Sequence, residues 1–174
     1  MKKLEDYVRG IPDFPKPGII FRDVTSILQD PDSLRMSIDG IVNNLKDVDF
    51  DVVVGPESRG FIFGVPVAYA MNKSFVPVRK KGKLPCETVS MDYELEYGSA
   101  TIEIHKDAIK PGQKVVIVDD LIATGGTIEA IVKLIKMLGG EVVRIEFVME
   151  LAGLEGRKKL ADYHIDSLIT YEGK

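Results

Sequence analysis

The stretch VVIVDDLIATGGT, residues 115–127, decides the fold that the sequence predicts. Residues 115–118 are four consecutive apolar side chains, a pattern typical of a strand that is buried on both faces of a parallel sheet. Two adjacent carboxylates, Asp119 and Asp120, follow this strand, and apolar side chains recur at helical spacing over residues 128–138. The stretch therefore predicts a strand, an acidic turn, a loop of small residues and a helix.

The loop between the two carboxylates and the helix has the composition of an anion site. It consists of Ala123, Thr124, Gly125, Gly126 and Thr127. Glycines allow backbone N–H groups to approach a ligand closely, a helix N-terminus favours an anion, and threonine hydroxyls add donors. The chain contains neither G-x-x-x-x-G-K-S/T nor G-x-G-x-x-G, which argues against a P-loop and a dinucleotide fingerprint. We expect a cradle for one phosphate at the carboxyl end of the strand, where ligands of open α/β sheets bind.

The composition indicates a globular chain with a single domain, residues 1–174. A net charge of −4 argues against a general nucleic-acid binder. The single cysteine, Cys86, excludes an internal disulfide and a multi-cysteine metal site, and it fits a reducing compartment. The N-terminal residues lack the apolar core of a signal peptide, and no apolar run approaches the ~20 residues of a membrane span. We expect a cytoplasmic protein that does not bind nucleic acid or membranes.

Two further predicted strands also end in charged residues. The strand at residues 51–54 is followed by GPESRG and then by a helix, which predicts a second anion cradle with an arginine. Arginine beside a positive helix end is unfavourable unless an anion is present. The strand at residues 75–78 is followed by the cationic run of residues 79–83. Such a run is often only solvated surface, but here it would meet the other loops at one edge of the sheet.

The segments outside these strands predict how the edge of the sheet is covered. Residues 1–9 suggest a short helix, and the proline-rich residues 11–23 suggest a stiff loop, which by itself could cover either the core or the site. Residues 84–97 look polar and irregular, and residues 100–105 alternate like an exposed antiparallel strand, so that together they suggest a glycine-hinged lid. Residues 153–160 suggest a short helix with its basic side chains facing outward.

The stretch at residues 115–127 closely resembles the ribose-5-phosphate-binding motif of the type I phosphoribosyltransferases. The resemblance implies an α/β fold of that type, with a central, mostly parallel sheet flanked by helices, an N-terminal hood (residues 1–30) and a flexible flap (residues 80–99). It also implies that residues 123–127 hold the 5-phosphate of phosphoribosyl pyrophosphate, while Asp119 and Asp120 face the ribose.

The same resemblance assigns the charged loops to the pyrophosphate group. The residues implied are Glu57, Ser58, Arg59, Arg79, Lys80 and Lys83, and in this family the peptide at the position of Glu57-Ser58 is often cis. Mg²⁺ would be bound together with phosphoribosyl pyrophosphate, with no direct protein ligand assigned. Members of the family are usually homodimers, which is the assembly that we expect.

Two segments resemble the adenine-specific branch of the family. The hood segment implies that Ile20, Phe21 and Arg22 line the base pocket, and the run LEYG at residues 95–98 implies Glu96 and Tyr97 as flap residues over the site. Glu96 is an acid or base candidate, and with Arg59, Asp119 and Asp120 it completes the implied catalytic set.

The resemblance covers almost the whole chain and implies transfer of phosphoribosyl to adenine, giving AMP and pyrophosphate in purine salvage. Two alternatives stay open at this point. The chain could act on another nucleobase, or it could be a non-catalytic regulator that senses phosphoribosyl pyrophosphate. An intact flap and the absence of a visible DNA-binding segment argue against the regulator.

Overall fold

The computed structural model describes residues 2–95 and 98–173. Within them the strands are β1 (Arg9–Pro12), β2 (Ile20–Asp23), β3 (Val52–Pro56), β4 (Ser74–Lys80), β5 (Thr88–Glu94), β6 (Ser99–His105), β7 (Lys114–Ile122), β8 (Glu141–Leu151) and β9 (Ile165–Tyr171). The α-helices are α1 (Pro31–Leu45), α2 (Arg59–Ala70) and α3 (Gly126–Met137), and short 3-10 helices span Leu4–Tyr7, Val24–Gln29, Ala152–Leu154 and Gly156–Leu160. None of the helices in this part of the chain is long and apolar enough to cross a membrane.

One seven-stranded sheet in the order β5-β6-β4-β3-β7-β8-β9 organises the chain. The five strands β4, β3, β7, β8 and β9 pair in parallel, whereas β6 pairs antiparallel with both β4 and β5. The chain passes from β3 through α2 to β4 on one side, and from β7 through α3 to β8 on the other. The strand order therefore reverses between β3 and β7, which is where open α/β sheets bind ligands. The predicted mostly parallel α/β sheet is confirmed.

Alternate side chains of the two central strands enter two different cores. Val52 and Ile117 belong to the core that includes Ile131 of α3. Val53 and Val116 belong to the core that includes the helices on the opposite face. All five side chains are at most 1% exposed. Burial on both faces explains why these strands are continuous apolar runs in the sequence, as predicted.

The prediction of a helix over residues 1–9 was wrong in extent. Only a single 3-10 turn, Leu4–Tyr7, forms there, and β1 and β2 then make an antiparallel ribbon. Ser26 accepts a hydrogen bond from the Arg9 N–H at 2.9 Å and donates one to the Tyr7 carbonyl at 2.7 Å. These bonds take the backbone groups that a longer helix would need, so the N-terminal segment continues as a strand.

The hairpin of β5 and β6 differs from the irregular segment predicted for residues 84–97. Val89, Met91 and Tyr93 alternate along β5 and pack against the main core, a period-2 signal that the sequence already contained. The prediction that residues 100–105 form an exposed strand was wrong in burial. Ile104 is fully buried because β6 lies between β5 and β4 and not at the sheet edge.

The basic side chains of residues 157–159 are exposed, as predicted, but Arg157 is also held by hydrogen bonds. Two 3-10 turns replace the expected helix, and Arg157 binds the carboxylate of Glu150 with two hydrogen bonds of 2.7 Å. Its third contact is a 2.8 Å hydrogen bond to the carbonyl of Ile165. This arginine therefore ties the segment after β8 to the carboxyl end of β8 and to β9.

Glu146 of β8 is a fully buried carboxylate remote in sequence from the acidic turn. Asn44 of α1 donates a 2.9 Å hydrogen bond to its Oε2, whereas Oε1 has no partner among the described residues. Burial raises the pKa of Glu146 to about 7, opposed by the bond from Asn44 and assisted by the charge of Asp166. A carboxylate in such a place is easier to bury protonated than ionised.

The free energy of unfolding should therefore fall as the pH rises from about 4.5 to about 7. Below pH ~4.5 Glu146 is protonated in both folded and unfolded chains, and between that pH and about 7 only the folded chain keeps the proton. We expect chemical unfolding at pH 5 and pH 8 to show that the native protein loses about 2.5 kcal/mol relative to Glu146→Gln. Glu141→Gln, at the exposed start of β8, is the control; equal pH profiles for the native protein and Glu146→Gln would contradict the assignment.

Candidate active site

A cavity of about 370 Å³ lies at the carboxyl ends of β3 and β7. It is lined by Pro56, Glu57, Ser58, Arg59, Lys80, Tyr93, Asp119, Asp120, Leu121 and Thr127. The strand reversal brings these loops together although they are up to 71 residues apart, from 56 to 127. The cavity therefore unites members of all three predicted loops: the cradle with the arginine, the cationic run and the acidic turn.

The two adjacent carboxylates are buried at the end of β7. Asp119 is 8% exposed and Asp120 is 4% exposed. The Arg59 guanidinium donates a short hydrogen bond to Asp120 Oδ2, and the Asp120 backbone N–H donates to Asp119 Oδ1 at 2.8 Å. Arginine at the start of α2 was predicted to need an anion beside it, and Asp120 supplies that negative charge.

The pKa values of Asp119 and Arg59 are both shifted, for different reasons. Burial, and then the charge of Asp120, raise the pKa of Asp119 well above its usual range. Burial lowers the pKa of Arg59, but its hydrogen bond to Asp120 and the charges of the nearby carboxylates together outweigh this and leave the pKa above its ordinary value. Arg59 therefore stays a cation with half of its side chain exposed, and it can meet a second anion in the cavity.

The loop after β3 is held against β4 by Glu57. Its Oε1 accepts a 2.5 Å hydrogen bond from the Lys80 backbone N–H and lies 3.5 Å from Arg79 Nε. The Glu57-Ser58 peptide is cis. The next helix starts with little room, because a Cβ built on Gly60 would lie 3.0 Å from Asp119 Oδ1 and closer still to Pro56. Glycine at this position is what allows the buried carboxylate to approach α2.

Residues 123–127, the loop that is predicted to hold a phosphate and is called the phosphate loop below, border a smaller cavity of about 100 Å³, which is lined by Asp119 and residues 121–128. Gly125 has a φ of 78°, a left-handed conformation that favours glycine. A Cβ built on Gly125 would lie 2.6 Å from the Gly156 carbonyl oxygen, and one built on Gly156 would lie 2.4 Å from the Ala123 carbonyl oxygen. Two glycines therefore let the loop pack directly on the backbone of the Gly156–Leu160 turn.

Gly156 and Tyr93 are site residues that the sequence reasoning missed. Gly156 packs against the phosphate loop through backbone atoms, and no local sequence motif predicts this contact. Tyr93 brings the β5–β6 hairpin to the cavity, and its position on the alternating apolar face of β5 was the available signal.

The remaining predicted residues lie in different places. Of the described residues, Arg79 and Lys83 do not line the cavity at Asp119; Arg79 Nη1 donates to the Lys83 carbonyl at 3.2 Å. Ile20 and Arg22 line a separate cavity of about 190 Å³ together with Leu151, Tyr171, Glu172 and Gly173. Phe21 instead packs edge-on against Phe14, with ring centroids 5.3 Å apart. Glu96 and Tyr97 lie outside the described residues.

Arg22 stacks on an aromatic ring at the rim of that second cavity. Its guanidinium carbon lies 4.2 Å from the centroid of Tyr171. Because β2 contributes Ile20 and Arg22 whereas β8 and β9 contribute Leu151 and Tyr171, the cavity sits between the N-terminal ribbon and the main sheet. Two of the three residues predicted for a base pocket are therefore brought together, and Phe21 is not among them.

Comparison with known proteins agrees with this geometry. Residues 24–172 match the family model of the phosphoribosyl transferase domain. A protein of Lachnoclostridium phytofermentans named adenine phosphoribosyltransferase is 75% identical over 174 residues, covering 100% of both chains.

Solved structures give the same result. The adenine phosphoribosyltransferase of Thermoanaerobacter pseudethanolicus superposes with a TM-score of 0.92 at 54% identity, covering 97% of this chain and 98% of that one. The Saccharomyces cerevisiae enzyme, complexed with an imino-altritol 1,6-bisphosphate and adenine, superposes with a TM-score of 0.88 at 43% identity, covering 95% and 96%. The chain thus belongs to the phosphoribosyltransferase family, in the branch whose members are named adenine phosphoribosyltransferases.

Proposed function

We propose that the protein transfers the 5-phosphoribosyl group of phosphoribosyl pyrophosphate to adenine, giving AMP and pyrophosphate. The bond from ribose C1 to the pyrophosphate oxygen breaks, a ring nitrogen of adenine bonds to C1, and its proton is lost. The observation that carries the proposal is the cavity in which Arg59, Lys80 and the phosphate loop surround the buried carboxylates. A sugar with an anionic group at each end fits that arrangement of charge.

The phosphate loop is the proposed site of the 5-phosphate. Ala123, Thr124, Gly125, Gly126 and Thr127 offer backbone N–H groups at the start of α3 and two hydroxyls. The left-handed Gly125 turns the chain into the helix, so that these donors converge. The contact with Gly156 fixes the loop before any ligand arrives, which lowers the ordering cost of binding.

The opposite end of the cavity is the proposed site of the pyrophosphate. Ser58, Arg59 and Lys80 line it directly. Arg79 is held by Glu57 and by the Lys83 carbonyl, so its first effect is to position the loop after β3. We keep Arg79 and Lys83 as proposed pyrophosphate residues, since flexible side chains at this edge can reach the leaving group.

Mg²⁺ is proposed to enter together with phosphoribosyl pyrophosphate. Among the described residues there is no cluster of three or more His, Cys, Asp or Glu side chains that could hold a metal ion. An ion that is held mainly by substrate oxygens, as is usual for Mg²⁺ on phosphates, does not need such a cluster. When bound, the ion would supply positive charge to the departing pyrophosphate.

Asp119 and Asp120 are the proposed ribose residues. As the pyrophosphate leaves, the sugar gains positive charge, as in other glycosyl transfers. Two preorganised carboxylates next to the ring favour that charge and can accept hydrogen bonds from the ribose hydroxyls. The β5–β6 hairpin, with Tyr93 already at the cavity, is the proposed flap that excludes water from the activated sugar. Glu96 and Tyr97, which lie outside the described residues, are proposed to close over the base, with Glu96 as the acid or base.

Adenine is proposed to enter the cavity between the N-terminal hood and the main sheet. Ile20, Leu151 and the Arg22–Tyr171 stack supply apolar walls and an aromatic face. The hood residues 1–30 would thus cover the base as the flap residues 80–99 cover the sugar. Phe21, which is 41% exposed, is kept as a proposed wall of the same pocket.

A homodimer in the cytoplasm is the proposed setting. The side chains of Ile62, Val65 and Tyr69 on α2 form an exposed apolar face at helical spacing, which a second copy could cover. Light scattering should give twice the 19.3 kDa of one chain, and a monomer at micromolar concentration would contradict this. The exposed free thiol of Cys86 suits a reducing compartment.

A nucleobase panel tests the activity. Purified protein with phosphoribosyl pyrophosphate and Mg²⁺ should release pyrophosphate with adenine and form AMP. Release that is far faster with hypoxanthine or a pyrimidine would favour another nucleobase, and binding of phosphoribosyl pyrophosphate without release for any base would favour a regulator. Either result would overturn the proposed reaction.

The double change Asp119→Asn with Asp120→Asn should lower kcat roughly 100-fold or more, because the carboxylates act on charge that develops in the transition state. Adenine binding, followed by calorimetry, should change little, since the base occupies a different cavity. Asp49→Asn, an exposed carboxylate salt-bridged to Lys114, is the control and should keep native turnover. Native kcat in the double variant would refute the assigned role.

Gly125→Ala should weaken binding at the phosphate loop. The new Cβ would lie 2.6 Å from the Gly156 carbonyl oxygen, so the loop must shift. Gly112→Ala is a matched control, because its φ of 84° carries the same left-handed strain, about 1 kcal/mol, while no heavy atom lies within 4 Å of its Cβ. We expect KM for phosphoribosyl pyrophosphate to rise about tenfold in Gly125→Ala only. The same KM in both variants would show that the glycine contact does not shape the site.

A further inference from the structure

A further cavity of about 270 Å³, distinct from the three described above, adjoins the phosphate loop between α3 and the β5–β6 hairpin. It is lined by Met91, Asp92, Tyr93, Glu94, Gly126, Glu129, Ala130, Lys133 and Lys159. Gly126 also lines the phosphate-loop cavity, so the two spaces meet at the first residue of α3. Lys159 is thereby the side chain of the turn after β8 that reaches the neighbourhood of the loop.

The ammonium group of Lys159 lies beside the phosphate loop. A Cβ built on Gly126 would be 3.8 Å from Lys159 Nζ. The backbone that holds Lys159 is fixed on both sides: Gly156 touches the loop through backbone atoms, and Leu160 is only 1% exposed. The position of this cation relative to the loop is therefore set by the fold.

The phosphate loop needs a cation that its own residues do not supply. The side chains that line its cavity include the carboxylate of Asp119 and no lysine, arginine or histidine. A phosphate dianion placed there would face a buried acidic group, and backbone N–H groups supply only partial positive charge. Affinity for the dianion should therefore depend on the nearest free cation.

The other basic side chains that α3 and the turn after β8 place near the loop are already engaged. Lys133 is salt-bridged to Glu129 at 3.0 Å. Arg157 is held by Glu150, and Lys158 is salt-bridged to Glu155 at 2.7 Å. Within residues 2–95 and 98–173, Lys159 has no such salt bridge, and it is the member of this basic run that faces the phosphate loop.

We propose that Lys159 binds the 5-phosphate of phosphoribosyl pyrophosphate, supplying the charge that the backbone loop lacks. The inference rests on the proposed function, because it assigns a further residue to the same substrate. The loop fixes the geometry of the phosphate, and a flexible lysine placed by the Gly156–Leu160 turn completes its charge. The turn after β8 would thus both support the loop and bind its ligand.

Two probes separate the two ends of the substrate. Calorimetry with ribose 5-phosphate reports on the phosphate loop, and calorimetry with pyrophosphate and Mg²⁺ reports on the Arg59 end. In Lys159→Met we expect the Kd for ribose 5-phosphate to rise about tenfold, as loss of one charge-assisted contact predicts. The Kd for pyrophosphate should change less than about twofold, since that end is untouched.

Matched variants and steady-state kinetics complete the test. Lys158→Met, one residue away and paired on the surface, should bind both probes as the native protein does. Lys159→Arg should recover most of the affinity because it restores the charge. KM for phosphoribosyl pyrophosphate should rise in Lys159→Met with kcat little changed, the pattern of a group that binds ground state and transition state alike.

Each opposing result has a distinct meaning. Native affinity of Lys159→Met for ribose 5-phosphate would overturn the inference and leave the proposed function standing. Equal losses for ribose 5-phosphate and pyrophosphate would also overturn it, and would indicate that Lys159 anchors the hairpin near Glu94 instead. If the native protein bound neither probe, the phosphoribosyl site itself would be wrong, and the inference with it.

Discussion

The burial of two carboxylates at the end of β7 is the constraint on which the site depends. Burying two adjacent carboxylates is costly, and the fold offsets this cost with the Arg59 guanidinium and a backbone N–H. This arrangement requires α2 to begin next to β7, which is possible only because β3 and β7 are neighbours. The acidic pair therefore couples the sheet order to the position of the proposed pyrophosphate loop.

Glycine contacts extend the same logic to the phosphate loop. Gly60 admits the Asp119 carboxylate, and Gly125 and Gly156 let two backbone segments meet without side chains between them. Glycine is required at these positions for steric reasons, because a Cβ would overlap neighbouring atoms and move the loop. The turn at Gly156–Leu160 is held in turn by Arg157 on Glu150, so a salt bridge at the end of β8 supports a loop that follows β7.

The sequence predicted the parts of this design that local chemistry expresses. Continuous apolar runs predicted β3 and β7, and the charged loops after them predicted residues that line the cavity at the carboxyl ends of these strands. Contacts between residues that are distant in the sequence could not be predicted, because no local pattern indicates them. The pairing of Arg59 with Asp120, the support of Gly125 by Gly156 and the hydrogen bonds of Arg157 to Glu150 all join segments whose contact depends on the order of strands in the sheet. The strand β5 was missed for another reason: its polar side chains outweighed a period-2 pattern that was present.

The distribution of charge along the crevice explains why one fold can hold so polar a substrate. The cations Arg59 and Lys80 lie at one end, the backbone donors of α3 and the ammonium of Lys159 at the other, and the carboxylates between them. This sequence of positive, negative and positive mirrors a ribose that becomes cationic between two anionic groups. Arg59 is shared between Asp120 and the cavity, so an incoming anion competes for a cation that is already in place and does not have to recruit one. In the proposed reaction the acidic pair would lose part of its counter-charge as the substrate binds, and the developing positive charge of the sugar would replace it.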